Sequence, residues 1–313
     1  MSADLVRRWL ADGALDLPVP GGGDTAVRWS RLESLTEIDV AAGRLAEAHA
    51  DAAAILVELS GRGCGAGELW GVWAAEAPDA VLAATDGPDG VRLDGAKAWC
   101  SGATVCTHAL VTARLADGRR GTYAVDLSSD GVEAMAPTWQ HVGMSASDTR
   151  TVRFTDVAAT AVGAPQAYLT RPGFWHGAIG VAACWLGGAR AVARRLYVAV
   201  ADDDARASTD PHAHAHLGAV DAALAAGRAV LDASARTIDD DPHGPGAELL
   251  ARRVRAVVEH AVDEAIVRTG RALGPAPLAL DRTHAQRVAD LTLYVRQSHA
   301  ERDLAVLGLL AAR

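Results

Sequence analysis

A change of period divides this chain. From Ser34 to Leu59 it reads SLTEIDVAAGRLAEAHADAAAILVEL. That stretch is rich in Ala, Leu and Glu, Gly43 is its only breaker, and the pattern predicts helix. The glycine-rich SGRGCGAG at 60–67 ends it. The next hundred residues change in kind. VLAATDGPDGVRLDGAKAW carries two glycine turns between short apolar runs, and ALVTARLADGRRGTYAVDL predicts two strands about a turn at Asp117–Gly121. TRTVRFTDV alternates, with Val152 and Phe154 on one side and Thr151, Arg153 and Thr155 on the other.

Helical stripes then return. Leu217, Val220, Leu224, Gly227 and Leu231 form one, and Leu250, Val254, Val257, Ala261 and Ala265 form another. Gly-Pro pairs at 244–246 and 274–277 mark helix ends. Strands held between two helical blocks predict an α+β chain in three parts, 1–67, 68–165 and 166–313, in which the helical parts pack together.

Charge narrows the partners. The net charge is −9, and the single lysine of the chain is Lys97. Nucleic-acid binding needs clustered Lys and Arg, so no nucleic-acid partner is expected. Cys64, Cys100, Cys106 and Cys184 include no CxxC pair and fit free thiols in a reducing cytosol. The N-terminal MSADLVRRWLADGALDL lacks a signal-peptide core, and no window is apolar enough to span a bilayer. A cytoplasmic protein without a membrane partner is expected. His212, His214 and His216 would share a side only in a strand, and the tract lies between a proline turn and a helix with no obvious carboxylate or cysteine partner, so no metal site is assigned.

Four segments, in order, carry a resemblance. They are GVWAAEAP at 71–78, LDGAKAWCSGA at 93–103, GMSASDTRTVRFTDVAA at 143–159 and IVRTGRALGPAPLALDRTHAQRVADLTLYV at 266–295. Together they resemble the acyl-CoA dehydrogenase family of flavoproteins, over about residues 40–313, as a divergent and shortened member. The resemblance implies an N-terminal helical domain, a middle β-barrel or sandwich and a C-terminal four-helix bundle. It also implies FAD, an acyl-CoA or acyl-carrier thioester oxidised at its CH–CH group, and a homo-oligomer with shared FAD sites.

Site residues follow from the same resemblance. Trp99 would pack on the isoalloxazine, where a flat electron-poor ring favours an aromatic neighbour. Ser101 would offer its hydroxyl and backbone N–H toward N5, where hydrogen bonds tune hydride acceptance. On the residues alone, an ordinary hairpin with a buried tryptophan is the better account of this stretch, and the four ordered motifs reverse that preference. Ala75 stands where the family has a threonine that bonds the flavin. By the same resemblance Arg206 would be a remnant of a pyrophosphate-binding loop, and Gly270 and Gly274 would match a glycine turn at the adenine side of a neighbouring subunit's FAD. A helix C-cap before Pro275 explains that turn as well.

The family's base is a desolvated glutamate. Ser298 occupies its usual position, and His176 or Gly177 occupies the alternative one, so neither place holds a carboxylate. His176, His299 and Glu301 are the available substitutes. Four functions remain open: an acyl-CoA dehydrogenase-like oxidoreductase with an unusual base, a non-catalytic subunit paired with a full-length homologue, a flavin-dependent monooxygenase on the same fold, and a binding protein without flavin.

Overall fold

A computed structural model describes residues 2–88 and 90–313 of the chain. Three helices come first: α1 (Ser2–Ala11), α2 (Thr25–Ile38) and α3 (Val40–Ser60). The expected single helix over 34–59 is two. Asp39 adopts an extended backbone, with φ −150° and ψ 119°, and its carboxylate accepts the Ala42 N–H at 2.7 Å. A short acid that can satisfy an orphan N–H starts a new helix more readily than it continues an old one.

Seven strands follow: β1 (Trp70–Trp73), β2 (Leu82–Gly87), β3 (Gly90–Cys100), β4 (His108–Arg114), β5 (Arg120–Asp126), β6 (Val132–Ala134) and β7 (Arg150–Ala161). Pairing runs β4–β2–β3–β7–β5 and returns to β4, so these five close a barrel, with β1 added to β4 and β6 to β7. The turn after β4 covers 115–119, two residues earlier than the expected Asp117–Gly121, because Arg120 and Gly121 already pair with Arg114 and Ala113. The second glycine of the β3 region is not a turn. Asp94-Gly95 lies within β3 opposite a bulge of β7: Leu93 pairs with Val157 and Gly95 with Phe154, so Asp94 alone faces Thr155 and Asp156. Gly95 has φ +119°, and a Cβ there would meet the Val81 carbonyl oxygen at 2.2 Å, so no other residue fits.

Seven helices complete the chain: α4 (Ala167–Thr170), α5 (Gly173–Ala201), α6 (Pro211–Asp240), α7 (Ala247–Leu273), α8 (Ala276–Leu280), α9 (Arg282–Tyr294) and α10 (Glu301–Ala311). Asp210 caps α6 by accepting the His212 N–H at 2.8 Å, with Pro211 at the first helical position. The buried stripe of α7 runs through Val258, not the expected Val257, because Val254 and Val258 are one i,i+4 step apart. The HAHAH tract is helical, so residues two apart point to different sides and the three imidazoles do not converge. No helix among the described residues is long and apolar enough to cross a membrane.

The chain forms two compact units. The first comprises Met1–Leu17, Leu45–Gln140 and Ser145–Phe174, and the second Pro18–Arg44, His141–Met144 and Trp175–Arg313. The barrel core of the first holds Trp73, Leu93, Cys100, Val111, Val125, Val152, Phe154 and Val157. Ala52, Ile55 and Leu56 of α3 cover its outside against Trp70, Leu110 and Val162. In the second unit Trp185 of α5 and Tyr294 of α9 meet edge to face at 6.4 Å.

Candidate functional site

A second bulge decides the surface of the first unit. Along β3 the buried positions are Leu93, Lys97 and Cys100, so the two-residue alternation slips after Lys97. Lys97 pairs with Val152 and Cys100 with Arg150, leaving Ala98 and Trp99 opposite Thr151 alone. Such an insertion turns a side chain out of the ladder. Trp99 is accordingly 61% exposed, with φ +61°. A bulky residue in the left-handed region costs about 1–2 kcal/mol, and burial of the indole does not offset it. Its one ring partner among the described residues is Trp139, at 6.2 Å and 84°.

Beside it, the loop after β3 is tied down by the turn before β7. Gly102 N–H donates to the Ser147 carbonyl at 2.8 Å and Ala103 N–H to that of Asp148 at 3.1 Å. The Asp148 carboxylate takes the backbone N–H and hydroxyl of Thr104, both at 2.7 Å, and the Arg150 guanidinium at 2.6 Å. Burial alone would raise the Asp148 pKa, but these donors outweigh it and hold the carboxyl below its usual range. Ser101 therefore has a fixed place. Its hydroxyl meets that of Thr149 at 3.0 Å, which in turn meets that of Ser147 at 2.8 Å. The Ser101 carbonyl accepts the Trp73 indole N–H at 2.9 Å, and its own N–H turns to the Trp99 carbonyl at 3.1 Å.

Ala75 is exposed on the segment between β1 and β2. Its neighbour Glu76 anchors that segment by accepting Lys97 Nζ at 2.9 Å, and Lys97 also donates to Thr112 at 2.8 Å. Burial depresses the Lys97 pKa against the pull of Glu76; burial would raise Glu76, but the bonds and charges of Lys97 and Arg120 win and depress it. The single lysine is thus a buried strut.

The remaining candidates lie in the second unit. Ser298 is 7% exposed, donates to Glu259 Oε2 at 2.6 Å and accepts the Ala300 N–H at 3.1 Å. Arg296 stands 3.7 Å from the same glutamate. His299 is exposed and its backbone N–H donates to Asp303 at 3.0 Å, while Glu301 is exposed at the start of α10. His176 is buried in α5. Two arginines of α7 tie these stretches together. Arg252 lies over the Trp175 ring at 5.1 Å and donates to Asp303 at 3.0 Å, and Arg255 donates to the carbonyls of Ala178, at 3.0 Å, and Gln297, at 3.3 Å.

Arg206 is exposed in a single 3-10 turn, Arg206–Ser208. Gly274 caps α7 with φ +67°, its N–H on the Gly270 carbonyl at 2.9 Å, and nothing lies within 4 Å of a Cβ at either glycine. No group of three or more His, Cys, Asp or Glu among the described residues could hold a metal ion.

The model of the acyl-CoA dehydrogenase middle domain matches residues 74–157, which span β2 to β7. Solved structures resemble the whole chain. One is dibenzothiophene monooxygenase (TdsC) from Paenibacillus sp. A11-2, with a TM-score of 0.80 and 17% identity over 100% of this chain and 96% of that one.

The chain has the acyl-CoA dehydrogenase-like fold.

Two further structures resemble it. Methanesulfinate monooxygenase MsuC from Pseudomonas fluorescens has a TM-score of 0.79 and 16% identity, over 97% of this chain and 88% of that one. The electron transferring flavoprotein of Acidaminococcus fermentans has a TM-score of 0.85 and 14% identity, over 99% and 90%. No curated protein sequence matches the chain. Sequence reasoning singles out Trp99 and Ser101 and passes over their neighbours Trp139 and Thr149, and over Glu259 beside Ser298. Trp139 stands four residues before the GMSASDTR motif and was within reach; Glu259 lies in an ordinary helical stretch with no local signal.

Proposed function

We propose that this chain is a flavin-dependent oxidoreductase of the monooxygenase type. The observation that carries the flavin is Trp99, an indole pushed out of its strand at a conformational cost and set beside the Ser101 hydroxyl. An exposed aromatic face next to a fixed hydroxyl fits an isoalloxazine ring and its N5 edge. Ala75 supplies no side-chain donor, so holding the ring falls to Trp99 and to backbone groups. A similar structure agrees in kind, since TdsC was solved with FMN and indole. FMN and FAD are both compatible with Trp99 and Ser101, which address only the ring they share.

When reduced and bound, a flavin supplies two electrons to O₂, so that one oxygen atom enters the substrate and the other leaves as water. This chemistry needs no base at an acyl α-carbon. Ser298 suits it, because its hydroxyl proton is already engaged by Glu259. A second reading, the acyl-CoA dehydrogenase, draws on that same contact: a carboxylate stands one hydrogen bond behind the place where the resemblance puts the base.

The test begins with purified protein incubated with FMN or FAD and desalted. A retained visible flavin band is the expected result, and a colourless protein with either flavin overturns the reading. Bleaching of the bound flavin by an acyl-CoA would select the dehydrogenase. Bleaching only by an added flavin reductase with NAD(P)H as electron donor, followed by rapid reoxidation in air, selects the monooxygenase type.

A further inference from the structure

Trp99 raises a question that its strand does not answer. A side chain this exposed has two free torsions, and its indole N–H makes no hydrogen bond among the described residues. Left alone it would sample several rotamers, and fixing it on binding would cost affinity. We propose that Trp139 is the residue that positions Trp99, holding its ring in the orientation a planar ligand uses. The proposal rests on the flavin reading for the identity of that ligand, not for the contact between the two indoles.

The construction supports this. Trp139 is itself half-buried, and the segment that bears it is fixed at its start. β6 pairs with β7 from Val132 to Ala134, and the next N–H, of Met135, donates to the Thr151 carbonyl at 2.9 Å. Thr151 is the residue that faces the Ala98-Trp99 bulge on the other side of β7. One residue of β7 therefore registers both indoles, the first through the bulge and the second through the strand end.

The turn that launches β6 is equally constrained. Gly131 has φ +87°, its carbonyl accepts the Thr155 N–H at 3.0 Å, and a Cβ there would meet the Thr155 carbonyl oxygen at 2.2 Å. Pro137 then stiffens the short run to Trp139. The result is a corner of two near-perpendicular indoles, an arrangement that aromatic quadrupoles favour.

The experiment compares wild type with Trp139→Ala, Trp139→Phe and Trp99→Ala, each first checked for an unchanged unfolding midpoint. Near-ultraviolet circular dichroism of the flavin-free proteins reads the pair directly. Loss of either tryptophan should remove the same coupled band, and two unrelated difference spectra would overturn the proposal. FMN and FAD affinities by fluorescence titration read the consequence. Trp139→Ala should bind roughly tenfold more weakly, the order expected for losing one edge-to-face partner, and Trp139→Phe should recover most of that. Unchanged affinity in Trp139→Ala overturns the proposal, as does a phenylalanine that rescues nothing. If wild type binds neither flavin, the flavin reading fails, and the dichroism still decides whether Trp139 orients Trp99.

Discussion

Trp99 in the first unit and Ser298 in the second are both singled out by their place in a motif, and their surroundings differ in kind. Trp99 is 61% exposed, sits in the left-handed region and has one aromatic neighbour among the described residues. Ser298 is 7% exposed, and its hydroxyl both donates and accepts. One side chain is held out of the core at a cost that its contact with Trp139 recovers only in part. The other is fully used in holding the chain together. Strain of the first kind points toward a ligand; satisfaction of the second kind points toward architecture, unless Glu259 has a use of its own.

Three changes press on this contrast. The largest effect belongs to Trp99→Gly. Glycine takes φ +61° freely, which gains about 1–2 kcal/mol, while losing the Trp139 contact gives back about 0.5–1.5 kcal/mol. Stability should barely move, yet flavin affinity should fall by about tenfold or more, measured by titration beside a urea unfolding curve. A large loss of stability would mean that Trp99 is a packing residue after all.

Next comes Glu259→Ala. It leaves the buried Ser298 hydroxyl without its acceptor and should cost about 1–3 kcal/mol, whereas Glu259→Gln keeps an acceptor and should cost less. Equal unfolding midpoints for the two variants and wild type would erase the distinction drawn here between the two sites.

The smallest effect is in pH. Asp290 of α9 is buried and accepts the Met144 N–H at 2.5 Å and the Gln286 amide at 2.8 Å; burial wins over these bonds and raises its pKa. Its folded value lies above its unfolded one, so its contribution is complete below the ordinary carboxylate range and is lost as pH rises through the raised value. Asp148 in the first unit runs the other way. Its depressed pKa contributes above the ordinary range, and that contribution is lost as pH falls through the folded value. Thermal midpoints across the acid range should therefore lose their decline with rising pH in Asp290→Asn and their acid-side loss in Asp148→Asn. Parallel curves for both variants and wild type would remove the opposition between the units.

Much of the fold is legible in local pattern. The shift from a 3.6-residue to a two-residue period and back marks the helical and strand blocks, because side-chain spacing on each element is dictated by its own backbone. Misreadings fall where one residue serves a local purpose. Asp39 looks like a helix residue until its carboxylate is seen to cap α3. Asp94-Gly95 looks like a turn until β7 is seen to pair on both sides of it. Val257 and Val258 are indistinguishable in composition, and only the packing of α7 chooses between them.

At the candidate site, the sequence alone determined which residue types stand in the β3 motif, the missing carboxylates at 176 and 298, and the alternation of β7. The tertiary structure decided the rest: that Trp99 faces outward while Cys100 turns in, that Trp139 meets it, and that Ser298 finds Glu259 from 39 residues away. The physical reason is range. Periodicity and capping are settled within a few residues of chain, whereas a bulge, an indole corner or a serine–carboxylate bond exists only after closure of the barrel, or packing of the helices, brings distant residues into register.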